Sequence, residues 1–487
     1  MFGGVNFKMT TYKTLQIWVK KGHRMHDYFQ TMCQSAKNMH NTTNFYIRQV
    51  FTALKQKKEL QPYQKEVLET IQTHLPKIND NQMIAYQRRI EKEKVKPELQ
   101  QKEVKCNLFG MPSTENPYVS YHFLDALFKS MAQHDYRSLP AQSSQGIMKN
   151  VFQNWRSFYS SLREYKSNPT KFKARPKIPG YCRLKVKEIS FSNQDCVIKE
   201  NKFLKFPKTK EKLNIGKLGC TEGKLKQIRV IPKYGHYVVE LIFQVHSEST
   251  MKESKNRFMS VDLGIDNLAA IVTNTGRRPV LVKGKHIKSI NQQYNQLKAR
   301  YTGILRQGKR ANEIPFTSKR LEKINNKRWN KIKDLFHKVS HQMIKIALEE
   351  DIDTIIIGRN KDWKQHANMG KRNNQSFSTI PHSLLIKMIT YKAQEHGIHV
   401  MLTEEAYTSQ ASFLDQDEIP VYDNNTKRNL FSGKRIKRGL YRSKDGQIIH
   451  ADVNGAANIM RKVFKDAFHH TFFNMETLKR PIVLKVK

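Results

Sequence analysis

Cysteines, acidic residues and long apolar runs are all scarce in this sequence of 487 residues. The five cysteines form no CxxC pair, which argues against a disulfide framework and against structural zinc; they are Cys33, Cys106, Cys182, Cys196 and Cys220. The lack of any run of about 18 apolar residues argues against a membrane-spanning helix. Because the N-terminus has no compact apolar segment followed by a small-residue cleavage site, the sequence predicts a cytosolic protein.

Basic residues, in contrast, are abundant. The chain has 87 lysines and arginines against 42 acids, so its formal net charge is +45. A partner that is a dense polyanion would relieve this self-repulsion through phosphate neutralisation and counterion release. An anionic membrane is the alternative partner, but no basic segment adjoins a long apolar face. The composition therefore predicts a nucleic-acid-binding protein that does not bind membranes.

The spacing of apolar residues divides the first half of the chain into β and helical parts. Residues 11–21 alternate apolar and polar side chains, which predicts a strand, and 27–54 and 118–166 have helical spacing. Residues 55–105 are rich in lysine and glutamate and predict exposed helices or an insertion with mobile loops. Short β-type runs over 183–247 predict a small β-barrel, which the first strand could complete, with the helical domain inserted between.

From residue 257 onwards the pattern is α/β. The predicted strands are 258–264, 268–274, 279–282, 354–357 and 398–402, and the predicted helical regions are 286–350, 381–396 and 453–464. A strand–strand–strand–helix–strand–helix–strand order with acids at strand ends is the ribonuclease-H-like plan. The segment 407–450 is polar and rich in turns.

Three carboxylates stand at the ends of predicted strands or at the start of a helix: Asp262, Glu405 and Asp452. Each has an ordinary explanation, namely a strand-end turn, a solvated acidic pair and a helix N-cap. Glu404 is an alternative to Glu405 as the second of the three acids. Small residues from Gly455 to Ala457 predict that the last helix packs closely on the sheet and carries Asp452 toward the strand ends.

The three carboxylates together predict a metal site. Like charges at one site raise one another's pKa, and a divalent cation removes that penalty. Mg²⁺ suits a set of oxygen ligands and bridges to a substrate phosphate. One ion would activate water and a second would stabilise the leaving 3′-oxygen of a phosphodiester.

Lysines and arginines are dense in residues 286–333. A charged run is usually a solvated helix face, but the one-sided sign favours contact with a duplex backbone. The candidates are Lys319, Arg320, Lys327 and Arg328. Of the aromatic residues in the helical part, we expect most in the core and one or two to stack on bases; these are Phe45, Tyr46, Trp155, Phe158 and Tyr159.

Ten motifs are spread over nearly the whole chain: Tyr12–Gln16, Asn38–Gln49, Asp135–Pro140, Asn154–Phe158, Lys171–Pro179, Ser260–Ile265, His337–Ser340, Ile357–Gln365, Tyr407–Gln410 and Asp452–Asn458. Together they resemble the motifs of TnpB-type proteins of insertion-sequence transposons, which are RNA-guided DNA endonucleases related to miniature type V CRISPR effectors.

The resemblance implies a multidomain protein that combines α/β, β-barrel and helical parts around a split RuvC (ribonuclease-H-like) nuclease. The implied domains are a wedge β-barrel at 1–24 and 181–250, an inserted helical recognition domain at 25–180, the nuclease at 251–406 and 451–470, a target-nucleic-acid-binding ribbon at 407–450 and a C-terminal tail at 471–487.

The resemblance also implies a function. A guide RNA would pair with double-stranded target DNA beside a short adjacent motif, and a single RuvC site with two Mg²⁺ ions would cut it. Asn44, Arg48 and Gln49 are the candidate motif readers, and we expect a basic cluster in the ribbon to grip the substrate strand. That cluster is Lys434, Arg435, Lys437 and Arg438. The protein is expected as a monomer or a homodimer on one RNA, associated with a prokaryotic nucleoid.

Two departures from the family pattern matter. Many relatives carry the middle glutamate where this chain has Gly358, whereas some carry it before Tyr-Thr-Ser, which falls on Glu405. Many also have a four-cysteine zinc ribbon, but this ribbon has no cysteine, so we expect no zinc. Apolar packing is expected to hold it, by Phe413, Leu414, Ile419, Val421, Tyr422, Leu430, Phe431, Leu440 and Tyr441. A nuclease-inactive RNA-guided repressor and a miniature type V CRISPR effector remain alternatives.

Overall fold

The structure is a computed structural model that describes residues 9–56, 58–97, 100–216, 223–247, 254–310, 313, 315, 317–359, 379–420, 431–468 and 475–486. The chain divides into two compact units, Thr10–His246 and Ser247–Lys487, with Met1–Met9 grouped with the second. Within the described ranges, no helix is long and apolar enough to cross a membrane.

The first unit begins with a strand, continues with helices and ends with six further strands. The elements are β1 (Met9–Lys20), α1 (His26–Lys55), α2 (Pro62–Lys94), α3 (Tyr121–Ser130), α4 (His134–Ser138), α5 (Ala141–Ser167), β2 (Ile189–Ser192), β3 (Val197–Lys199), β4 (Phe203–Lys205), β5 (Lys212–Asn214), β6 (Lys224–Lys233) and β7 (His236–Ser247). The strands form two sheets, one in the order β1-β7-β6-β2 and one in the order β3-β4-β5.

Local sequence explains this unit well. Apolar residues at helical spacing along α1, including Phe29, Cys33 and Ala36, are fully buried. Pro140 is the N-cap of α5, where its missing N–H costs nothing. The first strand joins the later strands in one sheet, as the sequence predicts. The assignment of these sheets to a wedge β-barrel stays a prediction.

The second unit contains the α/β part. Its elements are β8 (Phe258–Asp262), β9 (Asn267–Thr273), β10 (Val280–Lys283), α6 (Lys285–Arg306), α7 (Lys319–Glu349), β11 (Thr354–Gly358), α8 (His382–Glu395), β12 (His399–Thr403), β13 (Lys434–Lys437), β14 (Leu440–Arg442), β15 (Ile448–His450), α9 (Ala451–Val463), α10 (Met475–Lys479) and β16 (Ile482–Leu484). The predicted helical region 286–350 is thus two helices. Strands β13 to β16 were not predicted, and β16 lies in the segment expected as a tail.

Six strands form one sheet in the order β12-β11-β8-β9-β10-β16. Strand β11 is parallel to both of its neighbours, β8 and β12. Strand β9 is antiparallel to both of its neighbours, β8 and β10. Mixed pairing of this kind agrees with the strand order that the sequence predicts for a ribonuclease-H-like sheet. Because β8, β11 and β12 are parallel, their carboxyl ends meet at one edge.

Helices cover both faces of this sheet. On one face Val261 and Ile357 pack in a core with residues of α7 and α8 such as Phe336. On the other, Ile356 packs with Ile459 of α9. Strands β8 and β11 therefore carry buried apolar residues on both faces, as expected for strands that are covered on both sides.

Candidate active site

Asp262 and Glu405 lie on either side of Gly358 at the carboxyl edge of the sheet. Asp262 is the last residue of β8, and the register pairs the residue before it, Val261, with Ile357 of β11. Gly358 in turn pairs with Thr403, the last residue of β12, and Glu405 follows two residues later. A Cβ on Gly358 would lie 2.9 Å from Oε2 of Glu405, so the missing side chain leaves the space that the glutamate occupies.

Asp452 reaches the same edge from helix α9. The alternative that Asp452 is the N-cap of this helix is wrong, because the helix begins at Ala451 and His450 is the N-cap. The ring Nδ1 of His450 accepts the Asp452 backbone N–H at 3.2 Å. With capping provided by His450, the Asp452 carboxylate is available to side chains.

Small residues bring helix α9 against the sheet, as the sequence predicts. Ala456 and Ala457 are fully buried. A Cβ placed on Gly455 would lie 2.8 Å from Oδ2 of Asp262, closer than carbon and oxygen atoms pack. Any larger residue at Gly455 would therefore displace the Asp262 carboxylate.

Burial and like charge act on these acids together. Asp262 keeps some accessible surface, but burial raises its pKa to about 7, with a further increase from Asp452 and an opposing effect from Arg435. Burial also raises the pKa of Glu405 to about 8, and the charge of Asp262 adds to the increase. The protein thus holds acids close together in a setting that disfavours their negative charge.

Glu404 and Glu405 have different surroundings. The carboxylate of Glu404 forms an ion pair with Lys462, with Oε2 and Nζ 3.2 Å apart. Glu405 lies beside Gly358 and within electrostatic reach of Asp262. The geometry therefore favours Glu405 as the middle acid, and its catalytic role stays a proposal.

Two buried asparagines join the turn after Glu405 to the helix that carries Asp452. The side-chain nitrogen of Asn458 donates to the carbonyl oxygens of Thr408 and Ala411, at 3.0 and 2.7 Å. Asn454 donates to the same Ala411 carbonyl at 2.8 Å. Asn454 and Asn458, the polar pair that the sequence places near Asp452, thus fix helix α9 relative to the turn that follows Glu405.

The carboxylate of Asp452 has partners that the sequence analysis missed. Its Oδ2 accepts a hydrogen bond from Asn267 Nδ2 at 2.8 Å, and Asn267 Oδ1 accepts one from Lys283 Nζ at 3.0 Å. Arg435 lies 3.8 Å from Asp452 Oδ1. A single asparagine at the start of a strand gives no signal in the sequence, so only the fold identifies Asn267.

The fit of these residues to a metal rests on their chemistry. Their donors are carboxylate oxygens that repel one another, which is the ligand type that Mg²⁺ prefers. In the part of the chain that the structure describes, no group of three or more His, Cys, Asp and Glu side chains is close enough to hold a metal ion. The expectation of two Mg²⁺ ions therefore rests on the donor set and stays a proposal.

The predicted nucleic-acid contacts on α7 differ in exposure. Lys319, Arg320 and Lys327 are exposed. The guanidinium of Arg328 instead donates to Asn291 Oδ1 at 2.8 Å and to the Thr379 carbonyl at 2.7 Å. Arg328 therefore joins elements of the protein, whereas the other three can meet an anionic partner.

The predicted motif readers are mostly occupied within the protein. Asn44 is 1% exposed, and its side chain accepts from Trp155 Nε1 at 2.8 Å and donates to the Pro179 and Gly180 carbonyls. In this conformation Asn44 cannot contact a nucleic acid. Gln49 is buried, and Arg48 is partly buried, donates to the Pro179 carbonyl and covers the Tyr181 ring.

The candidate stacking aromatics belong to the core of the first unit, as expected for most of them. Trp155 and Phe158 are buried, and the other three are partly buried against the same core: Phe45, Tyr46 and Tyr159.

The ribbon presents an exposed basic hairpin next to the acids. Strand β13 and the turn after it carry Lys434, Arg435, Lys437 and Arg438, all exposed. Arg438 forms an ion pair with Asp266, and Arg435 lies near Asp452 as described above. The cluster predicted to grip the substrate strand is therefore adjacent to the carboxylate edge.

Apolar packing and two aspartates hold the ribbon. Phe413 packs with α9, and Tyr441 packs with Ile449. Asp417 accepts the backbone N–H groups of Ser412 and Ser432, at 2.7 and 3.1 Å for Oδ2. Asp415 likewise accepts the Lys444 N–H at 2.9 Å. The aspartates were not predicted, and three expected packing residues, Val421, Tyr422 and Leu430, lie outside the described residues.

Two protein-family models match parts of this chain. A model for the family OrfB_IS605, described as probable transposase, matches residues 238–364, and a Cas12f1-like TNB domain model matches residues 382–459. The chain is 26% identical over 365 residues to the TnpB-like protein ORF457 of Acidianus two-tailed virus, which is 67% of this chain and 74% of that protein.

Two further proteins are similar to this chain. The CRISPR-associated endodeoxyribonuclease Cas12f1 of Sulfoacidibacillus thermotolerans is 26% identical over 211 residues, 42% of this chain and 45% of that protein. A solved Cas12f1-sgRNA-target DNA complex matches with a TM-score of 0.29 and 12% identity, over 92% of this chain and 98% of that chain. The family models and the two relatives support a similarity of this chain to TnpB-type and Cas12f1 proteins.

Proposed function

We propose that this protein is an RNA-guided DNA endonuclease whose nuclease site has the RuvC arrangement. The observation that carries the proposal is the meeting of Asp262, Glu405 and Asp452, from three distant segments, at one sheet edge. Acids whose negative charge is disfavoured by burial and by one another are typical of functional sites. The similarity to a relative named an endodeoxyribonuclease supports DNA as the substrate.

The charge of the chain supports nucleic-acid partners. A net charge of +45 suits a guide RNA and a target DNA held together, because both are polyanions. The domain assignment that accompanies this function is the one predicted from the sequence, from the wedge at 1–24 and 181–250 to the ribbon at 407–450. In such a protein the guide reads the sequence by base pairing, and the protein reads a short adjacent motif.

Asp262, Glu405 and Asp452 would hold two Mg²⁺ ions. Bound Mg²⁺ would lower the pKa of a water molecule and neutralise charge on the phosphate. Asn267, held by Lys283, fixes the orientation of the Asp452 carboxylate. Arg435, on the exposed hairpin beside Asp452, would bind the backbone of the strand that enters the site.

The decisive experiment uses the protein purified with the RNA that it retains. Sequencing that RNA should give a shared scaffold followed by variable guides. With Mg²⁺, the complex should cut DNA that matches a guide and carries the adjacent motif, and chelation of the metal should stop cutting. The variant Asp262→Ala should bind the same DNA without cutting it. If Asp262→Ala cuts as well as the wild type, the site is misassigned, and a heterogeneous RNA pool without a scaffold would contradict the guided function.

One observation favours a second candidate, an RNA-guided DNA-binding protein that does not cut. The carboxylate of Asp452 already has partners within the protein, because its Oδ2 accepts from Asn267 and its Oδ1 lies 3.8 Å from Arg435. Such a protein would retain guide RNA and bind matching DNA with or without Mg²⁺. Binding without cleavage by the wild-type complex, across several divalent metals, would favour this candidate over the endonuclease.

A further inference from the structure

Trp18 has an unusual position for a tryptophan in a sheet. It lies on the edge strand β1, where its neighbours Ile17 and Val19 face the core of the first unit. Trp18 points to the opposite face of the sheet and is 36% exposed. Alternation along a strand explains the direction of the side chain, and it leaves a large aromatic ring partly accessible on that face.

The indole of Trp18 is stacked on a second ring. Its centroid is 4.6 Å from that of His236 at the start of β7, and the two planes differ by 9°. His236 is buried at 7% exposure, and its Nδ1 lies 3.2 Å from the Tyr234 carbonyl oxygen. The buried imidazole therefore covers one face of the indole.

Positive charge surrounds the stacked pair. Lys233 pairs with His236 in the register of β6 and β7, and Lys20 follows Trp18 by two residues on the same face of β1. Burial lowers the pKa of His236, the hydrogen bond with the Tyr234 carbonyl opposes this, and the charges of the two lysines lower it further. Both lysines are exposed. An uncharged imidazole can lie against the indole without adding a third positive charge to a site flanked by two ammonium groups.

We propose that Trp18 is a stacking platform for an unpaired base of RNA, with Lys20 and Lys233 contacting the adjoining phosphates; this inference rests on the proposed function. A flat aromatic ring flanked by cations is the combination that binds single-stranded nucleic acid. Folded RNA exposes unstacked bases in loops and bulges, whereas duplex DNA hides its base faces between neighbouring pairs. RNA is therefore the favoured occupant.

Photocrosslinking of the full-length protein tests this assignment directly. The probe is a single-stranded RNA of mixed sequence that contains 5-iodouridine, with a DNA strand that contains 5-iododeoxyuridine in parallel. Trypsin separates the relevant aromatics, because the peptide Thr14–Lys20 contains Trp18 as its one aromatic residue and Tyr12 falls in the preceding peptide. We expect the RNA probe to crosslink to Thr14–Lys20 in the wild type and to lose that crosslink in Trp18→Ala.

Binding measurements give a second readout with a matched control. At high salt, where phosphate contacts weaken, Trp18→Ala should bind the RNA probe about 5- to 100-fold more weakly, the loss of one base stack. Trp18→Phe should recover part of the affinity. Tyr12→Ala, which removes a 62% exposed aromatic ring from the same strand, should bind like the wild type.

The outcomes separate this inference from the proposed function. If RNA crosslinks to other peptides and never to Thr14–Lys20, the platform is wrong and RNA binding stands. If the wild type neither crosslinks nor binds RNA, both are wrong. Stronger crosslinking of Thr14–Lys20 by the DNA probe would overturn the choice of RNA. Equal affinities for Trp18→Ala and Tyr12→Ala would show that Trp18 only covers the sheet.

Discussion

Carboxylates have different surroundings at the two ends of the six-stranded sheet. At the amino end, Asp353 is buried, and its Oδ2 accepts the backbone N–H groups of Lys255 and Arg257, at 2.7 and 3.2 Å. At the carboxyl end, Asp262 and Glu405 lie close enough to raise each other's cost of ionisation. Backbone N–H groups thus bind one oxygen of Asp353, whose Oδ1 is buried without a hydrogen-bond partner among the described residues, whereas Asp262 and Glu405 lie near like charge.

The difference distinguishes acids that stabilise the fold from acids that would bind a ligand. The two backbone N–H groups that donate to Asp353 Oδ2 join the start of β11 to the segment that leads into β8. The acids at the other end lower the stability of the protein unless a cation binds between them. Their arrangement suits the proposed action on phosphodiesters. Substitution of acids at either end of the sheet tests this distinction.

The largest effect is expected at Glu405. Glu405→Gln should reduce DNA cleavage by the RNA-bound protein about a thousandfold or more, because a proposed metal ligand loses its charge. The matched control is Glu404→Gln, which removes the ion pair with Lys462 and should leave the cleavage rate within a few-fold of the wild type. Rates measured with saturating Mg²⁺ and a matching target distinguish the two acids. The reverse result would make Glu404 the middle acid.

At the amino end, Asp353→Ala should lower the free energy of unfolding by about 3 kcal/mol, because two backbone N–H groups lose their acceptor. Asp351→Asn is the control, since it removes an exposed ion pair with Lys255 and should cost less than about 0.5 kcal/mol. Denaturant unfolding without RNA measures both. Equal losses of unfolding free energy in the two variants would mean that Asp353 does not stabilise the amino end of the sheet.

Gly455→Ala tests whether cleavage depends on the position of the Asp262 carboxylate at the carboxyl end of the sheet. The added methyl group would meet Asp262 Oδ2 at 2.8 Å, so we expect cleavage to fall about 30-fold through displacement of that carboxylate. Gly146→Ala, in helix α5 with open space around it, should instead stabilise by about 0.5 to 1 kcal/mol and leave the rate unchanged. A normal cleavage rate in Gly455→Ala would show that the position of Asp262 tolerates a shift.

The smallest effect concerns pH and stability. Because the folded pKa of Asp262 is raised from 3.8 to about 7, the folded protein binds protons more tightly than the unfolded chain. The stability that the protonated acid contributes is present below about pH 4 and is lost as the pH rises through about 7. Asp262→Asn should therefore be more stable than the wild type at pH 8 by about 2 kcal/mol.

That gain should vanish near pH 4, where both proteins carry a neutral side chain. Thermal unfolding with a chelator present measures the difference at each pH. A variant that is less stable than the wild type at pH 8 would mean that the charge of Asp262 has favourable partners. Saturating Mg²⁺ should narrow the difference at pH 8, because the cation stabilises the wild-type carboxylate.

The sequence predicted five of the six strands of the large sheet, β8 to β12, within about two residues, since apolar runs bounded by Gly, Asn and Pro are strong signals. It also singled out Asp262, Glu405 and Asp452. It misplaced the start of α9 because a histidine N-cap is rare, and it did not resolve the ribbon strands, whose β13 is exposed throughout. It proposed Asn44 and Arg328 as nucleic-acid contacts, because polar residues on a helix look alike until their partners are known.

The sequence alone determined the charge of the protein, its helical and α/β parts and the three candidate acids, because composition and periodicity are local properties of the chain. The tertiary structure alone decided which neighbour each side chain has: Glu405 lies beside Gly358, Glu404 pairs with Lys462, Asp353 accepts from backbone amides and Trp18 stacks on His236. Those relations depend on strand register and helix packing between residues far apart in sequence. No local pattern encodes them, because a one-residue shift in register would reverse which face of the sheet each side chain occupies.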